Sequence, residues 1–373
     1  ANSNTAVGLK SLYANTTGTD NTAIGQQSLF SNTTGDRNVA SGYTALYTNT
    51  TGNCNIAVGR QALYYNTTAS NNTAVGNNAL FTNTTGCQNT ALGESALAVN
   101  TTGCSNVAIG HLSLDANTTG CFNTAVGKES LTSNTTGVHN IAIGRATLDQ
   151  NTTGHYNLAV GYQAMAVNTA SCYHTALGYF ALFLTNGGES NTAVGRNSGY
   201  NISTGSNNLT LGFNAGRSSS PSGAITTSSN NVVLGNDSIT DLYCADTSIS
   251  SSDLRDKTDI EDFTHGLDFV TKLNPKTYRW DKRSWYITDD NQSILDVTPD
   301  GSKKKNKKHI GFLAQDVLAL EKEIGFANDR DDMLVVNQTE DETRYGLKYE
   351  RLVPVLVNAI KELKAEIDEL KKK

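Results

Sequence analysis

A unit of 17 residues recurs through more than half of this chain and constrains its fold more than any other feature. It reads N-T-A-V-G-x-x-A/S-L-x-x-N-T-T-G-x-x, and a unit this short cannot bury an apolar face alone, so copies must stack against one another. The first residue of each copy is Asn4, Asn21, Asn38, Asn55, Asn72, Asn89, Asn106, Asn123, Asn140, Asn157, His174, Asn191 or Asn208.

Each copy predicts one short strand and one turn. The alternation Thr22, Ala23, Ile24 suits a strand with Ile24 directed inward, and Leu29 supplies a second inward residue. Asn-Thr-Thr-Gly is turn chemistry, because Asn bonds its own backbone and Gly accepts positive φ. A helical solenoid is disfavoured, since no stretch of the repeats sustains a 3.6-residue period and Gly recurs too often.

Stacking in register also predicts two ladders of Asn side chains along the axis of the stack. One ladder contains Asn21, Asn38 and Asn55, and the other contains Asn32, Asn49 and Asn66.

The repeat pattern also indicates where the domains end. The period breaks after Asn208, where a Ser-rich excursion at 218–229 precedes a last partial copy at 231–235. We therefore assign residues 1–217 to a β-solenoid head or shaft, 218–251 to an irregular connector, and 252–373 to a separate domain.

Charge supports this division. Residues 1–246 contain 7 of the 29 Lys and Arg and 10 of the 35 Asp and Glu. The net charge of -6 gives no reason to expect nucleic-acid binding. No apolar run approaches the roughly 20 residues that span a bilayer, so membrane insertion is not expected.

The N-x-A-x-G-x-x-A/S pattern of residues 4–217 resembles the head repeats of trimeric autotransporter adhesins. That resemblance implies a parallel β-roll joined as a trimer. Family repeats are usually shorter than 17 residues, so each coil here has a longer turn.

The repeats offer little for catalysis. A polysaccharide-degrading head needs clustered carboxylates, whereas charged residues are sparse here, fall at variable repeat positions and form no acid-base pair. The favoured interpretation is a wall that binds a cell-surface receptor or glycan; the alternatives are a polysaccharide-degrading tailspike and an ice-binding solenoid with regular Thr rows. The sparse charges include Asp36, Arg37, Glu94, Asp115 and Glu129.

Cysteines also follow the period. Cys87, Cys104, Cys121 and Cys172 occupy position 16 of their copies, with Cys54 one place later. The first three should form a column, in which vertical neighbours could join as disulfides or three thiols could meet in a trimer as a metal site. Free packed thiols are the favoured interpretation, and no metal or other cofactor is expected.

Four ordered motifs define the tail, together with both Trp residues. They closely resemble the intramolecular chaperone of endosialidase family, found at the ends of phage tailspikes and other trimeric fibres. The motifs are SDLRDK at 252–257, LNPKTYRW at 273–280, HIGFLAQDV at 309–317, and Tyr349 with the apolar 352–363.

The resemblance implies a trimeric chaperone that folds the upstream fibre and then removes itself by serine-lysine autoproteolysis, in a single turnover. Ser252 is then the nucleophile and Lys257 its general base, with Asp253 and Arg255 shaping the site. A desolvated, neutral Lys can take the proton of a Ser hydroxyl. We expect scission between Ser251 and Ser252, although the motif alone leaves the bond after Ser252 open.

Geometry alone would not predict this dyad. A Ser and a Lys five residues apart point to different sides of a strand or a helix, so a turn must bring Ser252 and Lys257 together. In isolation the pair would indicate a loop with an ion pair. His309 and Gln315 are polar residues in or beside an apolar strand. They could orient the dyad or bind the oxyanion, or they could satisfy buried backbone groups.

The last segment, about 352–372, predicts a coiled-coil helix. Its apolar residues are spaced by 4, 3, 4 and 3, and the mixed Ile and Leu permit a trimer. These residues form an apolar seam that consists of Leu356, Ile360, Leu363, Ile367 and Leu370.

The sequence as a whole therefore predicts a mainly β, homotrimeric fibre or adhesin with an α+β chaperone domain, at the surface of a virion or of a cell.

Overall fold

Fourteen short strands dominate the structure, a computed structural model that describes residues 3–239, 257–287, 293–339 and 343–372. Contacts divide the chain into two compact units, Ala1–Asn236 and Asp237–Lys373. The strands all lie in the first unit and are β1 Thr5–Val7, β2 Thr22–Ile24, β3 Val39–Ser41, β4 Ile56–Val58, β5 Thr73–Val75, β6 Thr90–Leu92, β7 Val107–Ile109, β8 Thr124–Val126, β9 Ile141–Ile143, β10 Leu158–Val160, β11 Thr175–Leu177, β12 Thr192–Val194, β13 Leu209–Leu211 and β14 Val232–Leu234.

These strands form one parallel sheet in sequence order, with one strand per coil. The register advances by one repeat at each step, so that Ala23 pairs with Ala40 and Ala40 with Ala57. The predicted β-solenoid of 17-residue repeats is confirmed.

The side chain that faces the core is not the one that the alternation suggested. Ala23 is completely buried, whereas Ile24 is 44% exposed, so the prediction that Ile24 points inward was wrong. Leu29 is completely buried, as predicted. Because the coil is thin, the buried Leu opposite each strand leaves room only for the methyl group of Ala. The larger residues of the strand therefore project outward.

The Leu residue of most coils, which corresponds to Leu29, has a left-handed backbone conformation that directs its side chain into the core. Gln27 and Leu29 have φ of 58° and 49°, and the same two positions repeat this conformation in most coils. Residues branched at Cβ are disfavoured there, which explains why the buried row contains Leu or Met rather than Val or Ile. The completely buried members of this row are Leu29, Leu46, Leu63, Leu80, Leu97, Leu114, Leu131, Leu148, Met165 and Leu182.

Both predicted Asn ladders are present. The backbone N–H of Asn38 donates to Oδ1 of Asn21 at 2.9 Å, and Nδ2 of Asn49 donates to Oδ1 of Asn32 at 2.8 Å. All four of these residues are completely buried. Each ladder therefore satisfies polar groups that would be costly to bury unpaired.

The turn glycines serve a different purpose from the one predicted. Gly35 does not have positive φ, so that expectation was wrong. A Cβ at Gly35 would lie 2.5 Å from Oδ1 of Asn32 and from the carbonyl oxygen of Gly52. Gly is needed because two coils and an Asn amide meet there, while the left-handed conformation falls on Arg37, at φ 57°.

The last coil absorbs the Ser-rich excursion. Asn231 donates its backbone N–H to Oδ1 of Asn208 across 23 residues instead of 17, and β14 continues the sheet in register. The excursion therefore lengthens one coil without ending the stack, and the predicted last copy is confirmed.

The second unit combines short helices with two small antiparallel sheets, β15 with β16 and β17 with β18. Its core contains Phe269, Val317, Val336, Leu352 and Val355. The elements in order are α1 Leu267–Val270, β15 Lys276–Tyr278, 3-10 helices at Arg283–Tyr286 and Ile294–Asp296, β16 His309–Gly311, α2 Ala314–Glu323, β17 Val336–Gln338, β18 Tyr345–Leu347, a 3-10 helix at Tyr349–Arg351, and α3 Leu352–Leu370.

Candidate functional site

The second and third motifs of the tail lie side by side. They form β15 and β16, in which Thr277 pairs with Ile310. The His309 ring stacks on Tyr278 with centroids 5.7 Å apart, and its centroid lies 6.3 Å from that of Trp280. His309 therefore packs among aromatic side chains on this sheet.

The fourth motif joins them through one hydroxyl group. The backbone N–H of Phe312 donates to Oη of Tyr349 at 3.1 Å. A Cβ at Gly311 would lie 2.5 Å from the same oxygen, so Gly311 makes room for the hydroxyl. Burial raises the pKa of the neighbouring Tyr278, and Tyr349 adds to that shift.

These motifs enclose an open groove of about 480 Å³. Gln315, near the start of α2, lies on its wall and is exposed. The groove combines aromatic side chains with one amide and the charged Arg279 and Asp281. Its lining includes Tyr278, Trp280, Phe312, Gln315, Tyr345 and Tyr349.

The predicted dyad is only partly within the described chain. Ser251, Ser252, Asp253 and Arg255 lie outside the described residues, whereas Lys257 is described and its side chain is exposed. The roles predicted for all five remain predictions, as do the supporting roles of His309 and Gln315.

A buried carboxylate was missed by reasoning from the sequence. Glu321 on α2 is completely buried, and its oxygens accept backbone N–H groups of Leu334, Val335 and Val336 at 3.1, 2.6 and 2.9 Å. It fixes the start of β17 against α2. The available signal was its position four residues after the buried Val317, on the same helix face.

Charged residues of the solenoid form local hydrogen bonds and ion pairs. Oδ1 of Asp36 accepts the backbone N–H of Thr19 at 2.7 Å, and Glu129 contacts Lys128 at 3.2 Å and Arg145 at 4.0 Å. No group of three or more His, Cys, Asp and Glu suited to a metal ion occurs within the described ranges.

The cysteine column is present with free thiols. Sγ of Cys87 and Sγ of Cys104 are 3.2 Å apart. The backbone N–H groups of Cys87 and Cys104 donate to Sγ of Cys104 and Cys121, both at 3.1 Å. Asp36 holds the same repeat position and accepts in the same way, so a thiol and a carboxylate play the same part in different coils.

No helix in the part of the chain that the structure describes is long and apolar enough to cross a membrane.

The fold defines a class of protein: a parallel β-solenoid followed by a separate α+β domain. Residues 252–326 match the model of the family described as chaperone of endosialidase, so this part of the chain is a domain of that family, and the predicted resemblance of the tail is confirmed. The match contains the first three motifs and ends before Tyr349. The family comprises self-cleaving serine peptidases and occurs in phage tail fibres. Comparisons with curated proteins and with solved structures gave no match.

Proposed function

We propose that the chain is a homotrimeric fibre or adhesin whose C-terminal domain guides trimer folding and then releases itself by one cleavage before Ser252. The observation that carries this proposal is that each of the two units has an exposed apolar surface, which a single chain leaves uncovered.

The first part of this surface is the outer face of the solenoid sheet. Each solenoid strand from β2 onward buries its central residue and projects the two flanking ones, whereas β1 is exposed throughout. The last residues of the strands form a row of Val, Ile and Leu interrupted at Ser41, and the first residues form a row that mixes Thr with Val, Ile and Leu. Contiguous exposed apolar rows mark an interaction surface, and identical copies offer rows of the same spacing. The exposed members include Ile24, Ile56, Val58, Leu92, Ile141, Ile143 and Val194.

The second part is one face of α3. Leu352, Val355 and Ala359 are buried in the domain, whereas the five seam residues 356, 360, 363, 367 and 370 are 44 to 69% exposed. Their heptad spacing is that of a coiled coil. Two further copies of the helix would cover this seam, and a helix of 19 residues would help to gather chains rather than hold them alone.

A repeat body needs such a guide because its coils are nearly alike. Ala pairs with Ala at most steps of the sheet, so three chains shifted by one coil would make almost the same contacts. A C-terminal trimer raises the local concentration of the chains and fixes their starting register.

The proposed cleavage is an acyl shift followed by hydrolysis. Oγ of Ser252 attacks the carbonyl carbon of Ser251 as neutral Lys257 accepts the hydroxyl proton; the peptide C–N bond breaks, and the proton goes to the new amino group of Ser252. Water then hydrolyses the ester, leaving a carboxylate on Ser251 and a free hydroxyl on Ser252. In this scheme Asp253 and Arg255 shape the site.

Exposure of Lys257 connects cleavage to assembly. A general-base Lys must lose its charge near neutral pH, and desolvation favours this. Because Lys257 is exposed in the single chain, its desolvation would come from contact with other chains. Cleavage would then follow correct assembly, and the assembled body could not refold if opened, so its persistence would be kinetic.

For the head we propose binding to a cell-surface receptor or glycan, at the surface of a virion or of a cell. A column of stacked rings, with centroids 4.8 to 5.4 Å apart, supports a binding wall. Replacing Tyr156 by Ala should weaken capture on a glycan array; release of new reducing ends or thermal hysteresis would instead favour a polysaccharide-degrading or an ice-binding head. The column consists of Phe122, His139, Tyr156 and Tyr173.

The chaperone role is tested by comparing the full chain with a chain that ends at Ser251. Sedimentation velocity should give a trimer for the body made from the full chain, and monomers or aggregates for the truncated chain. If the truncated chain forms the same thermostable trimer, the domain is not a chaperone.

A further inference from the structure

An acidic residue at the beginning of the second unit is held by groups far along the chain. The carboxylate of Asp237 is 4% exposed, and its Oδ2 lies 2.8 Å from Nη1 of Arg344. Its Oδ1 lies 3.7 Å from Nζ of Lys282. Two cations thus surround one buried anion.

The backbone of Asp237 is held as well. Its carbonyl oxygen accepts from Nε1 of Trp285 at 3.1 Å and from Nζ of Lys282 at 3.4 Å. Side chain and main chain are both recognised, so the contact specifies one residue in one orientation rather than a general attraction between charges.

The groups that hold Asp237 form a site built from two segments. Nη2 of Arg283 donates to the carbonyl oxygen of Thr343 at 2.7 Å, which fixes the residue before Arg344 against the turn that contains Lys282 and Trp285. The Lys282 ammonium also lies 5.2 Å from the centroid of the Trp280 ring, a cation–π contact that places this charge.

The position of Asp237 in the chain gives this site a consequence. Asp237 precedes Ser252 by fifteen residues, so the proposed cleavage leaves it on the body fragment, while Lys282, Trp285 and Arg344 stay on the tail fragment. We propose that this pocket retains the cleaved product: it binds Asp237 of the body after the bond is cut, so that scission and release are separate steps. This inference rests on the proposed function only for the origin of the cut.

Retention of this kind should depend on salt and on the charge of Asp237. Removing one partner of a buried ion pair leaves the other charge buried and unpaired, and such changes act mainly on the rate of dissociation. The remaining exposed charges around the pair are screened as ionic strength rises.

The test separates the cut from the release. A full chain carrying Ser252→Ala and an inserted recognition sequence for a site-specific protease after Ser251 is cut with that protease, and dissociation of the tagged tail is followed by native size exclusion. We expect the tail to dissociate about tenfold faster or more in the Asp237→Asn form than in the parent, and the Arg344→Gln form to behave alike. Arg330→Gln, at an exposed position, is the control for the loss of one positive charge.

The outcomes are distinct for the two proposals. Equal dissociation of the Asp237→Asn form and the parent would overturn retention, even if the natural chain cuts itself normally. A natural chain that stays whole would contradict self-cleavage and leave the result with the added protease standing. Far-UV circular dichroism of the uncut variants checks that both remain folded.

Discussion

Nδ2 of Asn117 donates a hydrogen bond of 2.8 Å to Oδ1 of Asn100 in the preceding coil, and both residues are completely buried. The same amide also donates to the carbonyl oxygen of Gly120 at 3.0 Å, and its Oδ1 accepts from Nδ2 of Asn134 at 2.8 Å. One side chain therefore connects three coils.

Replacing Asn117 by Ala should destabilise the solenoid by about 1–3 kcal/mol, because Oδ1 of Asn100 is left buried without this hydrogen bond. Thermal unfolding followed by circular dichroism measures the effect. Thr119→Ala, at an exposed turn position of the same coil, is the matched control and should leave the midpoint almost unchanged. Equal midpoints for the two variants would remove the stabilising role of the ladder.

His174 replaces Asn in the other ladder and predicts a pH dependence. It is 1% exposed, and burial lowers its pKa from 6.5 to about 4. The unfolded chain therefore binds a proton more readily than the folded chain, so stability present above about pH 6.5 is lost as the pH falls towards 4, by at most about 3 kcal/mol.

Midpoints of thermal unfolding at neutral and at mildly acidic pH test this. His174→Asn restores the residue of the other copies and should reduce the loss of stability at acidic pH. If the two proteins lose stability equally, protonation of His174 is not the cause.

The cysteine column predicts that the thiol of Cys87 is alkylated slowly. The contact with Cys104, together with burial, raises the pKa of Cys87, so less thiolate is present near neutral pH and alkylation by iodoacetamide should be slow. Peptide mapping by mass spectrometry should find Cys87 alkylated faster in the Cys104→Ala variant. Unchanged kinetics would show that the contact does not control its reactivity.

The seam of α3 predicts a position-specific effect on assembly. Ile360→Lys places a charge in the proposed trimer interface and should shift sedimentation towards monomer. Ala365→Lys introduces the same residue at an exposed position off the seam and should leave the trimer intact. Identical sedimentation of the two variants would argue against a coiled coil formed by this helix.

The 17-residue period predicted what depends on register alone. It placed Asn32 and Asn49 in contact, as well as the column of Cys87 and Cys104, because stacking brings equal positions together. It did not predict which face of each strand is buried: alternation allows either Ala23 or Ile24 inside, and the narrow width of the coil, which is a tertiary property, selects Ala23.

The tail was less predictable from its residues. Its four motifs indicated a family, but the contact between Gly311 and Tyr349 joins residues far apart in sequence, and no local pattern specifies it. The same holds for Glu321, whose partners lie beyond a loop, and for Asp237, whose partners come from two distant segments.

The central claim is a single self-cleavage before Ser252, and intact mass spectrometry of the expressed full chain tests it most directly. We predict two fragments, one ending at residue 251 and one beginning at Ser252, for the natural chain and for the Ser251→Ala variant. The Ser252→Ala and Lys257→Met variants should each remain a whole chain of 39.7 kDa, apart from the mass change of the substitution. A natural chain that stays whole once assembled, or a Ser252→Ala variant cut at the same bond, would contradict the account.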